Sequence, residues 1–157
     1  MNADRVIEKL GLVPLEQEGG MFCRTYESTT SATGGTPACA AIYYLLRGDD
    51  FSHLHRLSVD EMYHFYLGDP VELIELLPGE TGRKTILGHG IDRGQQVQKL
   101  VRAGTWQGAA LADGGSWALL GTTTCPAYSQ ECYEHGDGPY LAAEYPEWAE
   151  AIACLAR

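Results

Sequence analysis

Hydrophobic and polar residues alternate over short stretches through the middle of the chain, from residue 38 to about residue 134. FSHLHRL (51–57) ends at SVD, EMYHFYL (61–67) ends at GDP, and the later stretches end at similar Gly, Pro and Asp residues. Period-two alternation in short runs that end at turn residues is typical of β-strands. The spacing of these runs predicts a β-sandwich or β-barrel, and it argues against alternating strands and helices.

Both ends of the chain show helical periodicity instead. Val6, Ile7 and Leu10 fall on one helical face, which predicts a helix at about residues 3–11. Near the C-terminus, apolar residues recur at steps of three and four, namely at Leu141, Tyr145, Trp148, Ile152 and Leu155. This spacing predicts a second helix at about residues 145–156.

The remaining pattern gives no sign of a second domain. ESTTSATGGTP (27–37) is rich in Ser, Thr and Gly and predicts a loop between two strands. Neither an internal repeat nor a linker of biased composition interrupts the strands that follow. With 157 residues, the chain has the usual size of one domain. We therefore expect a single all-β domain over residues 1–157, with short helices at both termini.

The composition indicates which binding partners and which cellular compartment to expect. The net charge is −10, with 21 acidic against 11 basic residues and no basic stripe, so nucleic-acid binding is not expected. The longest apolar run is too short to span a bilayer, and the N-terminus lacks the apolar core of a signal peptide. The five cysteines are scattered and form no CxxC pair, which favours free thiols. We expect a cytoplasmic protein without a membrane partner.

One stretch of the strand region carries most of the candidate chemistry. In regular strands, His53 and His55 share a face with Phe51 and Leu57, and Glu61 shares a face with Tyr63, Phe65 and Leu67 on the next strand. A hairpin at SVD would bring Glu61 close to His55. The apolar neighbours indicate a buried face, where His and Glu need partners or a ligand. The alternative interpretation is an exposed face with solvated histidines and a surface charge.

These residues also carry a resemblance to a known family. The stretch from Gly48 through His53, His55 and Glu61 to Gly68 resembles the first cupin motif. FSHLHRLSVDEMYHFYLGDPVEL is similar to the signature of an uncharacterised cupin family related to the dTDP-sugar epimerases. EGGMFCRTYES, VRAGTWQGA, CPAYSQECYE and LAAEYPEWAEAI resemble further segments of that family in the same order. The resemblance implies a double-stranded β-helix, a small jelly-roll barrel with a pocket inside, and a homodimer.

A metal site is one function that this resemblance suggests. Two imidazoles and a carboxylate suit divalent Fe, Mn, Ni or Zn, and the predicted ligands are His53, His55, Glu61 and Gln107. Metal-binding cupins usually add a histidine from a second motif, and Gln107 occupies the matching position here. The chain also departs from the family pattern at Arg102, Cys23 and Cys132.

Three functions are compatible with the residues. The first is an isomerase-like or epimerase-like enzyme acting on a sugar or another small polar carbonyl compound. In this enzyme, His55 is the general base and Glu61 orients the His55 imidazole. Tyr63 donates or accepts the second proton, with Tyr128 and Tyr133 as alternatives. The second is a divalent-metal-dependent cupin enzyme. The third is a cupin that binds a small ligand without catalysis.

The predicted pocket walls are mostly aromatic. They comprise Phe22, Arg24, Tyr44, Phe65, Trp106, Tyr128 and Tyr133, and Tyr63 could serve as a wall residue as well. Arg24 is a candidate anchor for an anionic substrate. Trp106 and Gln107 have opposite parity, so only one can face inward on a regular strand, and we expect it to be Gln107. A small molecule is the expected partner.

Overall fold

The computed structural model describes residues 1–31, 34–79 and 81–157, and it is built mainly from β-strands. The strands are β1 (Val13–Pro14), β2 (Met21–Glu27), β3 (Ala40–Arg47), β4 (Phe51–Leu57), β5 (Asp60–Gly68), β6 (Val71–Leu76), β7 (Gly82–Leu87), β8 (Gln98–Val101), β9 (Trp106–Leu111), β10 (Trp117–Cys125) and β11 (Tyr133–His135). The helices are α1 (Ala3–Leu10), α2 (Gly138–Glu144) and α3 (Ala149–Leu155). The loop predicted at residues 27–37 lies partly outside the described residues.

The strands form two antiparallel sheets that face each other. One sheet has the order β1-β2-β3-β10-β5-β8, and the other has the order β11-β4-β9-β6-β7. Neighbouring strands are often distant in sequence, because the chain crosses from one sheet to the other as it proceeds. Two such sheets enclose an interior, as the alternating strand pattern predicted. No helix in the described part of the chain is long and apolar enough to cross a membrane.

Side chains of both sheets fill the interior between them. This inner cluster comprises Tyr44, Leu46, Tyr63, Phe65, Val71, Leu73, Leu87, Val101, Ala109, Ala118 and Leu120. A second, outer cluster lies between the five-stranded sheet and the C-terminal helices, and comprises Leu54, Ile74, Leu76, Trp106, Leu141, Tyr145, Ile152 and Leu155. Strand β6 contributes to both clusters, which explains why VELIEL is apolar on both faces.

The terminal helices match the prediction at one end and differ at the other. Helix α1 has Asn2 as its N-cap and ends at Gly11, which has a φ of 63°. The predicted helix at about residues 145–156 is broken into a 3₁₀ turn at Pro146–Trp148 followed by α3. Pro146 has no amide hydrogen to continue helix α2, and it disfavours a helical conformation at the residue before it. Accordingly Tyr145 has φ −122° and ψ 66°.

Strand β4 contains an irregularity that rearranges the histidines. Ser52 pairs with Ala109 of β9, and His55 pairs with Gln107. Three steps along β4 therefore match two steps along β9, which is the signature of a β-bulge. The extra residue reverses the alternation, so that Ser52 and His55 lie toward the same side of the strand. The amide of His53 bonds outside the sheet, to the carbonyl of Glu18 at 2.7 Å.

Candidate functional site

A pocket of about 280 Å³ opens at one end of the space between the sheets. Its walls combine apolar side chains with carboxylates, hydroxyls and amides. The lining residues are Leu15, Gln17, Glu18, Phe22, Arg24, Ala40, Ile42, Leu57, Glu61, Thr122, Thr124, Tyr128, Gln130 and Tyr133. An apolar cavity with a few converging polar groups is the usual form of a small-molecule site.

His55 lies just behind this pocket and is almost completely buried, with 1% of its surface exposed. Its Nδ1 is 2.7 Å from the carbonyl oxygen of His53. A carbonyl oxygen can only accept a hydrogen bond, so Nδ1 carries the proton and Nε2 of the neutral ring keeps its lone pair. Nε2 is 3.9 Å from Oε2 of Glu18, and the ring stacks on Tyr133 with centroids 5.1 Å apart. Both of these neighbours line the pocket.

Glu18 is held in place from several directions. Ser52 Oγ donates a hydrogen bond of 2.6 Å to its Oε1. The two following glycines have φ values of 99° and 71°, and a Cβ at Gly19 would lie 2.3 Å from the carbonyl oxygen of Phe51. The chain can therefore turn here only with glycine, and this turn aims Glu18 into the pocket. Our sequence reasoning did not single out Glu18 as a site residue, although the Glu-Gly-Gly stretch was a signal for it.

Glu61 is the second carboxylate of the pocket, and 7% of it is exposed. Gln107 Nε2 donates a hydrogen bond of 2.7 Å to its Oε2. Burial raises the pKa of Glu61, and the charge of Glu18 raises it further, while His55 and the bonds from Thr122 and Gln107 act in the opposite direction. Glu61 consequently keeps its proton to a higher pH than a solvated glutamate does.

Tyr133 supplies a phenol at the pocket wall. Its hydroxyl is 2.9 Å from Nδ1 of His135. Burial raises the pKa of Tyr133, and the charge of Glu18 adds to the effect. The phenol therefore stays protonated at neutral pH and can donate a hydrogen bond.

The four predicted metal ligands do not all come together. His55, Glu61 and Gln107 are neighbours, but the bulge in β4 turns His53 away, and its ring stacks on His135 with centroids 3.8 Å apart. Gln107 presents its amide nitrogen to Glu61, while its Oε1 has no hydrogen-bond partner among the described residues. Over residues 1–31, 34–79 and 81–157, no group of three or more His, Cys, Asp or Glu side chains is arranged to hold a metal ion. The four-residue set therefore does not fit a divalent metal.

Several predicted site residues lie outside the pocket lining. Tyr44, Tyr63 and Phe65 belong to the inner cluster, because the barrel interior is wider than the pocket and these rings fill its core. Trp106 packs in the outer cluster with the guanidinium of Arg56 4.6 Å from its ring centroid. It has the parity opposite to Gln107, and Gln107 is the residue that faces inward, as expected.

Four of the predicted wall residues do line the pocket, namely Phe22, Arg24, Tyr128 and Tyr133. Arg24 forms an ion pair with Glu27. Gln130 accepts a hydrogen bond from the Tyr128 hydroxyl and donates one of 2.9 Å to Gln17. Our sequence reasoning missed Thr122, Thr124 and Gln130, because isolated Thr and Gln residues are too common for a pattern to mark them.

Known proteins with similar sequences or structures have the same fold as this chain. The family model described as Cupin superfamily (DUF985) matches residues 4–136. A crystal structure of a Shewanella oneidensis protein is similar at 29% identity and a TM-score of 0.93, covering 100% of this chain and 98% of the other. A hypothetical protein from Leishmania major is similar at 26% identity and a TM-score of 0.90, with 99% of each chain covered.

More distant structures share the fold alone. Oxalate decarboxylase from Bacillus subtilis is 13% identical with a TM-score of 0.55, and the match covers 90% of this chain and 36% of that one. Among functionally curated proteins, the search finds no match. The predicted all-β double-stranded β-helix is confirmed by these similarities and by the two-sheet architecture. The relation to dTDP-sugar epimerases and the homodimer stay predictions.

Proposed function

The chain belongs to the cupin superfamily, in the family designated DUF985, and we propose that its pocket transfers protons on a small polar carbonyl compound. The proposed reaction is an isomerisation or epimerisation of a sugar or a related carbonyl compound. The observation that supports this most is the pair formed by His55 Nε2 and Glu18 Oε2, 3.9 Å apart. Glu18 faces the pocket. The bond from His55 Nδ1 to the His53 carbonyl leaves the lone pair of His55 Nε2 free.

In the proposed reaction, Glu18 removes a proton from the carbon next to the substrate carbonyl. The electron pair of that C–H bond forms a carbon–carbon double bond, and the carbonyl oxygen becomes an enolate oxygen. His55 lies behind Glu18 and can accept the proton or stabilise it on the carboxyl group, so that it supports the base without touching the substrate. This assigns to Glu18 part of the role that we expected for His55 alone.

Stabilisation of the enolate oxygen requires hydrogen-bond donors on another wall of the pocket. Tyr133 lines the pocket and stays protonated because its pKa is raised, so its phenol can donate to the developing negative charge. Glu61 belongs to the same pocket lining. If a second donor protonates the same carbon on the opposite face, the product is an epimer, and Glu18 keeps the first proton until it exchanges with solvent. If Glu18 returns its proton to the neighbouring carbon, the product is an isomer.

The pocket dimensions and lining favour a small polar substrate. A volume of about 280 Å³ accommodates a monosaccharide-sized compound in the apolar part formed by Leu15, Phe22, Ile42 and Leu57. Gln17, Arg24 and Gln130 provide amides and a cation that can bind hydroxyl or anionic groups of the substrate.

The test is proton exchange with solvent. Purified protein is incubated in D₂O with a panel of keto-sugars and nucleotide-sugars, and NMR measures deuterium at the carbon next to the carbonyl. For a substrate that exchanges, Glu18→Gln should lower the rate roughly 10²–10⁴-fold. His55→Gln should also lower the rate while changing substrate affinity, measured by calorimetry, much less. Glu72 is a partly exposed carboxylate on β6 outside the pocket lining, so Glu72→Gln is the matched control and should leave the rate unchanged.

Two results would overturn the proposal. The first is the absence of exchange for every compound in the panel. The second is tight binding of a compound without exchange, which would support the alternative of a non-catalytic ligand-binding cupin.

A further inference from the structure

Cys39 and Cys125 lie opposite each other at the ends of adjacent strands. The register between β3 and β10 runs without a shift from Arg47 paired with Trp117 to Ala40 paired with Thr124. The next residues in this register are Cys39 and Cys125. Beyond them, the amide of Ala127 donates to the carbonyl of Pro37 at 3.0 Å, in the same register. The backbone is therefore paired on both sides of the two cysteines.

The two thiols are also close enough to interact, because the Cys39 thiol raises the pKa of the Cys125 thiol. Cys125 is exposed and Cys39 is half-buried, so a small reagent can reach the pair. Directly opposed residues of antiparallel strands have Cα atoms about 4.5–5.5 Å apart, and disulfides accept Cα separations of roughly 4.4–6.8 Å. The Cα separation expected from this register therefore lies within the range that a disulfide accepts.

We propose that Cys39 and Cys125 are a reversible modification site, at which a low-molecular-weight disulfide oxidises the two thiols to an intramolecular disulfide. The thiolate of one cysteine attacks a sulfur atom of the reagent and releases one small thiol. The second cysteine, as thiolate, then attacks the mixed disulfide and releases the second small thiol. The protein loses two hydrogens, and the reagent is reduced to two thiols. This inference is independent of the proposed enzymatic function.

The position of the pair connects it to the pocket. Ala40 and Thr124, the residues adjacent to the two cysteines, line the pocket. The Thr124 hydroxyl is buried, and it has no hydrogen-bond partner among the described residues. A disulfide at the next register position would fix β3 and β10 together at this edge of the pocket. Oxidation therefore constrains the wall that a bound ligand would contact.

The environment of the pair makes the reaction depend on pH. Partial burial raises the pKa of the Cys125 thiol, and the Cys39 thiol and Asp60 raise it further. Only the thiolate attacks a disulfide, so oxidation should be slow at neutral pH and accelerate as the pH rises. Below the pKa, the rate should increase about tenfold for each pH unit.

The experiment treats reduced full-length protein with oxidised glutathione and measures the intact mass without reductant. The expected product has lost two hydrogens, yields a Cys39–Cys125 cross-linked peptide on digestion, and returns to the starting mass with excess reductant. Cys39→Ser and Cys125→Ser should each abolish this product and retain one glutathione adduct instead. Cys154→Ser removes an exposed thiol on α3 and should leave the product unchanged.

Three outcomes would overturn the inference. They are a wild-type protein that accumulates glutathione adducts alone, a loss of two hydrogens that persists in Cys39→Ser, and a disulfide-linked dimer. Far-UV circular dichroism of each variant establishes that it is folded. Cys39→Ala is the replacement if Cys39→Ser is not folded.

Discussion

At the scale of single residues, the carbonyl oxygen of His53 decides the tautomer of His55. The bond of 2.7 Å to Nδ1 leaves Nε2 free beside Glu18. His53 and His64 have different hydrogen-bond partners. Nδ1 of His53 is 2.9 Å from the carbonyl of Leu54, and His64 is 3.1 Å from both Thr123 and Gln98 on the opposite face of its strand. Of these three, His55 alone has a free ring nitrogen beside a pocket carboxylate.

Glu61 leads to a prediction about stability and pH. Its pKa is raised in the folded protein, so the folded state binds this proton more tightly than the unfolded state. Its contribution to stability is therefore present at low pH and is lost as the pH rises from the ordinary glutamate pKa through the raised value. In urea unfolding at several pH values, the stability of the wild type relative to Glu61→Gln should fall by up to about 1.4 kcal/mol per pH unit in that window.

The neighbouring Asp60 is a control, because its contribution to stability should change with pH in the opposite direction. The amide of Ala103 and the guanidinium of Arg102 lower the pKa of Asp60. Its contribution is present above the ordinary aspartate pKa and is lost as the pH falls through the lowered value. The stability of the wild type relative to Asp60→Asn should therefore rise with pH. A Glu61→Gln difference that does not change with pH would show that Glu61 titrates normally.

At the scale of the elements, strand β6 joins the two sheets through a buried charge. Glu75 is fully buried and accepts bonds of 2.8 and 2.6 Å from Arg83 of β7. Lys99 of β8, in the other sheet, lies 3.0 Å from Oε2 of Glu75. The Glu75 carboxylate thus pairs with a cation from each sheet, and of these two cations Lys99 is the largely buried one. Glu72, also on β6 and partly exposed, accepts a bond of 3.0 Å from Lys84 across the surface.

These two glutamates should differ in their effect on stability. Glu75→Gln removes the charge that compensates the largely buried Lys99, and it should lower the free energy of unfolding by about 3 kcal/mol. Glu72→Gln breaks a solvated pair and should cost less than about 1 kcal/mol. Urea unfolding monitored by circular dichroism measures both. Equal losses in the two variants would contradict a role for Glu75 in joining the sheets.

At the scale of the whole molecule, two apolar clusters lie on opposite faces of the five-stranded sheet. The inner cluster packs between the sheets, and the outer cluster packs under α2 and α3. The C-terminal helices therefore cover a sheet face that would otherwise expose Leu54, Ile74 and Leu76. Their packing is a part of the fold rather than an appendage to it. The homodimer implied by the family resemblance stays a prediction.

The outer cluster can be tested through α3. Ile152 is 1% exposed, and Ile152→Ala should lower the free energy of unfolding by roughly 2–5 kcal/mol through lost burial and a residual cavity. Cys154→Ala, on the exposed face of the same helix, should change it by less than about 0.5 kcal/mol. Tryptophan fluorescence and circular dichroism should report the same unfolding midpoint. Separate midpoints would indicate that α3 unfolds independently.

The sequence by itself determined the all-β class, the terminal helix α1, and the placement of His55, Glu61 and Gln107 near one another. Alternation along a strand and helical periodicity are local properties, and they can be read from neighbouring residues. The resemblance of the motif around His55 added the barrel. Of the predicted wall residues, Phe22 and Arg24 lie two apart on β2 and both line the pocket, as strand parity requires, whereas Tyr128 lines it from outside the strands.

The tertiary structure alone decided which charged groups meet at the site. A one-residue bulge in β4 reverses the alternation and separates His53 from His55, and no periodicity marks where such an irregularity will fall. Glu18 reaches His55 from a distant loop, and Cys39 meets Cys125 across a strand pairing. Long-range contacts of this kind depend on how the sheets pack and in which register, because residues far apart in sequence become neighbours only after the chain has folded.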